Sequence, residues 1–116
     1  MMDYLMEKAV REMNKAMRRV EALRALSEFL SQQAEGKWFT VADIRKGHPD
    51  VSPYLLSYYL IRSGELGARI KVFHDAVEIK CQPFTMKVYD YEIHDCKKVT
   101  VDSYKVNAYA LMPSTH

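Results

Sequence analysis

The chain has 116 residues, of which 48% are hydrophobic and 28% charged, and a formal net charge of +2. These values are typical of one compact domain and exclude a disordered polymer. Apolar stretches are only a few residues long, whereas a bilayer span needs about 20, and charges stand near the start at Asp3, Glu7 and Lys8. We therefore expect a cytoplasmic protein without a membrane span or a secretory leader.

Residues 1–35 are predicted to form one long helix, because the stretch before Gly36 has no Gly or Pro and is rich in strong helix formers. Apolar residues recur in it at alternating steps of four and three, the spacing of a coiled-coil seam. The contact residues of a dimerisation helix would then be Met6, Met13, Val20 and Leu23. The alternative is a bend near Arg18 and Arg19, giving two helices that fold onto one core.

Gly36 is predicted to end the first helix, because glycine readily adopts the left-handed conformation found at that position. Two further helices are predicted after it. Thr40 starts a short helix through about Lys46, with Asp43 at its third position. Ser52 and Pro53 begin a third helix that extends to Ser63, because Ser caps free amides and Pro fits the first helical position. Within it, Leu56 and Leu60 belong to the core.

The remaining segments alternate in the manner of strands. Residues 68–73 and 76–81 form a predicted short hairpin about His74 and Asp75. Three more strands are expected over residues 85–93, 97–101 and 104–111, which would make an antiparallel meander.

The segment Val51–Leu60, with its Ser cap, its mid-helix Ser57 and the following Tyr and Leu, resembles the recognition helix of winged helix-turn-helix domains of transcription regulators. Residues 39–44 are similar to the preceding helix of that family, and residues 65–70 to the start of its wing. The resemblance covers about residues 18–81 and implies an α+β fold. Residues 1–116 would form a single domain with a long helix (1–35), a helix-turn-helix and wing (36–81) and additional strands (82–116).

The resemblance also implies that the third helix lies in the DNA major groove. The expected DNA contacts on this helix are made by Tyr54, Ser57 and Tyr58, to bases or phosphates, and by Arg62, to a phosphate. The wing and its flanks would contribute Arg69, Lys71 and Lys80, and the DNA backbone contacts would be extended by Lys37, Arg45 and Lys46. This helix departs from usual base readers because it has one Arg and no Lys, Asn or Gln, so hydroxyl contacts, thymine methyl groups or DNA shape would supply specificity. Alternatively, the tyrosines pack across the rim of the core or at a subunit interface.

No signature of an enzyme is present: there is no nucleophile motif, glycine-rich phosphate loop or zinc-protease motif. We expect Cys81 and Cys96 to be reduced thiols. The alternatives are a disulfide between them or a zinc site together with His74 and His94. We expect no metal and no cofactor. We therefore expect a small homodimeric transcription regulator that binds double-stranded DNA. The alternative is a winged-helix module that binds another protein and not DNA.

Overall fold

The computed structural model describes residues 2–63 and 69–113. Most of the predicted wing start at residues 65–70 lies outside the described residues. Within them, the fold is α+β, with three helices and a three-strand antiparallel sheet of order β1-β3-β2. The elements in chain order are α1 (Met2–Gln32), β1 (Trp38–Phe39), α2 (Val41–Gly47), α3 (Pro53–Ile61), β2 (Ile70–Asp90) and β3 (Asp95–Leu111).

The chain divides into two compact units. The first contains the residues up to Val72 together with those from Ala108 onward, and the second is Phe73–Asn107. The first unit therefore holds all three helices and β1, and the second is built from the two long strands alone. No helix within the described ranges is long and apolar enough to cross a bilayer.

The first helix is continuous, so the alternative of a bend near Arg18 and Arg19 is wrong. It ends at Gln32, three residues before the predicted end at residue 35. Gly36 then adopts a φ of 77°, which confirms the predicted left-handed residue. The N–H of Gly36 donates to the carbonyl of Leu111 over 2.8 Å, so the loop between α1 and β1 is bonded to the end of β3.

The core of the first unit lies between the C-terminal half of α1, the two short helices and the sheet. Ala22, Ala25 and Leu26 of α1 are buried, and the small alanines let α3 approach α1 closely. Phe39 pairs with Tyr109 across the sheet, and its ring also lies 5.0 Å from that of Phe29, measured between centroids. This packing buries one face of α1, α2 and α3 and leaves their other faces to solvent.

The starts of α2 and α3 follow from local hydrogen bonds. The Asp43 carboxylate accepts from the backbone N–H of Thr40 over 2.8 Å at the start of α2. The Ser52 hydroxyl accepts from the N–H of Leu55 over 3.4 Å, which confirms the predicted cap of α3. Each bond satisfies a backbone group that the first helical turn leaves without a partner.

The predicted short hairpin about His74 and Asp75 is wrong, and so is the meander. Strand β2 is 21 residues long and contains both His74 and Asp75. The predicted wing boundary at residue 81 also falls inside it. The chain reverses at residues 91–94, and the predicted strands over 97–101 and 104–111 merge into the 17-residue β3. The described residues beyond α3 thus form one long hairpin.

Asp75 explains the false turn. Its φ of 51° is left-handed, a conformation that Asp tolerates better than most residues and that is common in turns. Its backbone N–H nevertheless donates to the side-chain oxygen of Asn107 on β3 over 3.0 Å, so the irregular residue is held within the hairpin. The true turn ends at His94, which has a φ of 53°.

Candidate nucleic-acid interface

Helix α3 presents tyrosines on the face that points away from the core. Tyr54 is 86% exposed and Tyr58 is 46% exposed, whereas Leu56 and Leu60 are fully buried, as predicted. Ser57 is half-buried on the same side as the tyrosines, and Arg62 is exposed immediately after the helix. Because the leucines anchor the helix and Ser52 caps it, the outer face is a rigid surface rather than a loop.

Arg62 is already positioned against this face. Its guanidinium carbon lies 4.0 Å from the centroid of the Tyr58 ring, and its backbone N–H donates to the Tyr58 carbonyl over 3.2 Å. The ring of Tyr59 meets that of Tyr58 edge-on, with centroids 5.3 Å apart. Stacking uses the flat face of a guanidinium and leaves its in-plane N–H donors for a phosphate or a carbonyl oxygen.

Arg19 of α1 is a member of this surface that the sequence interpretation missed. It is exposed and lines one open cleft with Leu55, Tyr58 and Tyr59 of α3. The signal was present in the sequence, because Arg19 stands three and seven residues before Ala22 and Leu26 and so points toward the face that packs on α3. The outer face of α3 is thereby flanked by two arginines, Arg19 of α1 and Arg62, which follows α3.

The predicted basic residues of α2 have local partners. Arg45 donates to the carbonyls of Val51 over 3.2 Å and Pro49 over 2.9 Å, and so braces the turn between α2 and α3. Lys46 lies 3.6 Å from the Asp43 carboxylate, an exposed pair that contributes little to stability. Arg45 therefore supports the position of α3, with two of its donors already used.

The other predicted basic residues are distributed over both units. Lys37, Arg69 and Lys71 are exposed in the first unit, and the carbonyl of Arg69 accepts from the N–H of Met112 over 2.8 Å. Lys80 is exposed in the second unit. By sequence, residues 36–72 hold six basic and three acidic side chains, whereas residues 73–107 hold five and six. The positive excess belongs to the unit that contains α3.

The predicted dimer contact is only partly available on α1. Met6, Met13 and Val20 are 67%, 58% and 53% exposed. Leu23 is instead half-buried and packs on the core of its own chain, so its assignment to the contact is corrected. The sequence interpretation missed Val10 and Met17, which are 45% and 54% exposed. We call Met6, Val10, Met13, Met17 and Val20 the apolar stripe.

The turn of the long hairpin is held by Asp90. Its carboxylate lies 2.9 Å from the Lys97 ammonium and accepts from the backbone N–H of Glu92 over 2.9 Å. The Lys97 contact is the main reason that the pKa of Asp90 is below its ordinary value. Cys81 and Cys96, in the same hairpin, are both free thiols. Across residues 2–63 and 69–113, no three His, Cys, Asp or Glu side chains are placed to hold a metal ion.

No protein-family model, curated protein or solved structure matches this chain.

Proposed function

We propose that this chain is a winged helix-turn-helix protein that binds double-stranded DNA as a small homodimeric transcription regulator. The order of elements supports the fold: a helix, a short strand, two helices joined by a turn, and a hairpin whose second strand pairs with β1, a layout compatible with a winged helix. The observation that carries the function is the rigid, solvent-exposed face of α3, with Tyr54 86% exposed and Arg62 stacked beside Tyr58.

The dimensions of α3 suit the major groove. An α-helix with side chains is about 10–12 Å across and the groove is about 12 Å wide. In this arrangement Tyr54 and Ser57, in the first turns of α3, face base edges, because the N-terminal part of a recognition helix enters the groove. Arg62 and Arg19 bind phosphates on either side, which positions the helix without reading sequence.

The sequence preference of such a helix is expected to be modest. Tyrosine and serine hydroxyls both donate and accept hydrogen bonds, so they discriminate weakly between bases. The bidentate contacts that are worth about 1–3 kcal/mol per base pair need Arg, Lys, Asn or Gln, and α3 contains none of these before Arg62. Most of the affinity would therefore come from phosphates and fall steeply with salt.

A second copy of the chain is the proposed occupant of the apolar stripe. The stripe steps by four, three, four and three residues, the spacing of a coiled-coil seam, and from Met6 to Val20 it is about 21 Å long. Two identical stripes can bury each other in a two-fold contact. Such a dimer would carry two copies of α3, one for each half-site.

Binding of a fluorescent duplex of random sequence, measured by anisotropy at 50 and 200 mM salt, tests the proposal. We expect salt-dependent binding with a Kd on the order of 10⁻⁴–10⁻⁶ M or tighter. Arg62→Ala should lower the slope of log K against log salt by about 0.9, whereas Lys87→Ala, a change of equal charge in the hairpin, should leave it unchanged. Absence of duplex binding by the unaltered chain at low salt refutes the function.

The proposed dimer is tested separately by sedimentation. Val10→Gln with Met17→Gln should reduce the mass from two chains to one at tens of micromolar protein. The matched control is Glu7→Gln with Asn14→Gln, on the flank of the stripe. A monomeric unaltered chain at this concentration contradicts the dimer.

A protein-binding module is the second candidate, because of the hairpin. Phe84, Met86 and Tyr91 are 49%, 45% and 80% exposed there, and the residues 73–107 have one more acidic than basic side chain. Exposed aromatic and Met side chains are typical of protein interfaces, and this unit has no positive excess to attract DNA. The duplex titration separates the two candidates, since a module that binds only proteins gives no salt-dependent retention of DNA.

A further inference from the structure

Four basic side chains lie in a row along the N-terminal half of α1. They are Lys8, Arg11, Lys15 and Arg18, at steps of three, four and three residues, and all are exposed. The ion pairs among the described residues use other lysines and a histidine, and none uses these four side chains. We call them the basic row.

The basic row occupies one face of the helix. At 3.6 residues per turn its members fall within an arc of roughly 80°, and no acidic residue of α1 falls within that arc. Continued toward the C-terminus, the same arc contains Ala22, Leu26 and Phe29, which pack in the core. The basic row is therefore on the side of α1 on which α2 and α3 are packed. The apolar stripe lies on the other side, roughly 160° away.

The C-terminal end of the row reaches the start of α3. Arg18 lines one cleft with Ser52 and Leu55, and its neighbour Arg19 lines another with Leu55 and Tyr58. Two carboxylates, Glu21 and Asp50, also line the cleft of Arg18, so the rest of the row is the more strongly positive part. The basic row and the outer face of α3 thus adjoin at Arg18 and Arg19.

We propose that the basic row is a second DNA-binding surface, which holds the phosphate backbone beside the groove that α3 occupies; this rests on the DNA-binding function proposed above. From Lys8 to Arg18 the helix rises about 15 Å. Phosphates of one DNA strand follow each other by about 3.4 Å along the axis but also wind around it, so a straight helix of this length faces fewer than four of them. Four exposed cations over this length are enough to contact the phosphates within reach.

An anionic membrane surface would also attract a basic helix, but the distribution of charge on α1 favours DNA. A helix lying in a membrane interface buries its apolar side in lipid. Here that would turn the basic row away from the headgroups. It would also bring Asp3 and Glu21, which flank the apolar stripe, toward them, and these carboxylates would be repelled. With the apolar stripe covered by a second copy, the basic row stays open to DNA.

The test compares two double variants that lose the same charge. Arg11→Gln with Lys15→Gln removes half of the basic row, and Lys87→Gln with Lys98→Gln removes two exposed lysines of the hairpin. Gln is a good helix former, so α1 is kept, which circular dichroism checks. Duplex binding is measured from 50 to 200 mM salt. The first variant should lower the slope of log K against log salt by about 1.8, so that its deficit relative to the unaltered chain shrinks about 12-fold over this range. The hairpin variant should keep the original slope.

The outcomes separate this inference from the function beneath it. If the unaltered chain binds duplex and both variants keep its slope, the basic row does not contact DNA and the inference is overturned while the function stands. If the unaltered chain binds no duplex, both are overturned. Cosedimentation with vesicles of phosphatidylcholine and phosphatidylserine is the last arm. Loss of vesicle binding in Arg11→Gln with Lys15→Gln, with an unchanged duplex slope, assigns the row to membranes and overturns the inference as well.

Discussion

Truncating two adjacent residues of α3 should have very different effects on stability. Leu60 is fully buried and belongs to the core, whereas its neighbour Ile61 is 53% exposed. Leu60→Ala removes a packed side chain and leaves a cavity, which costs about 2–5 kcal/mol of the free energy of unfolding. Full burial of an Ile side chain is worth about 1.5–3 kcal/mol, and Ile61 has about half of that to lose. Ala is also the better helix former, so Ile61→Ala should cost less than about 1 kcal/mol.

The assays are urea and thermal unfolding, both followed by far-ultraviolet circular dichroism. Both variants are measured at the same protein concentration, because the proposed dimer would be stabilised by mass action. At about 4 °C per kcal/mol for a chain of this size, Leu60→Ala should lower the Tm by about 8–20 °C and Ile61→Ala by at most about 4 °C.

Equal losses in the two variants would refute this description of α3. They would mean that the outer face of the helix is as covered in solution as the inner one. A covered face cannot enter a DNA groove, so the result would also remove the main support for the proposed function.

Three other changes test local features of the fold. Ser52→Ala should lower the free energy of unfolding by about 1 kcal/mol in urea, because the N–H of Leu55 loses its cap, and an unchanged value would show that the cap contributes nothing. Gly36→Ala should lower the free energy of unfolding by about 1–2 kcal/mol through backbone strain alone, since no atom lies within 4 Å of the added carbon. Gly36→Asn should cost less, because Asn tolerates the left-handed conformation better. A larger loss in Gly36→Asn than in Gly36→Ala would contradict the left-handed conformation of residue 36. The lowered pKa of Asp90 means that its contact with Lys97 stabilises the hairpin turn at neutral pH, an effect lost as the pH falls through that pKa. Chemical shifts of the turn amides should show this acid transition, and Asp90→Asn should abolish it; a transition that persists in the variant belongs to another group.

The helical part of the first unit was predictable because its signals are local. Ser52 and Pro53 mark a helix start whatever surrounds them, and Gly36 marks a left-handed residue for the same reason. The burial of Leu56 and Leu60 followed from their spacing. The spacing of Arg19 from Ala22 and Leu26 indicates the core-facing side of α1 but not that α3 packs there, so its position beside Tyr58 was missed.

The hairpin was not predictable to the same degree. The property that marks a turn residue, tolerance of a positive φ, is used by Asp75 inside a strand and by His94 at the true turn, so composition alone does not separate the two sites. On α1, a heptad pattern allowed several neighbouring seams. Leu23 was assigned to the dimer contact, although it packs on the core of its own chain. Hydrophobic periodicity does not reveal which side of a helix its own domain will cover.

The position of β2 at the border of the sheet has a consequence for how the protein behaves when concentrated. Within the described part of the chain, β3 is its one strand neighbour, so the far side of β2 presents backbone groups on which another chain can grow into a fibre. Pro83 interrupts that row, since it has no N–H to offer, and Lys80 and Lys87 add charge on either side of it. All three are residue types that oppose the pairing of one strand edge with another, and replacing Pro83 would leave the 21 residues of β2 without an interruption by Pro.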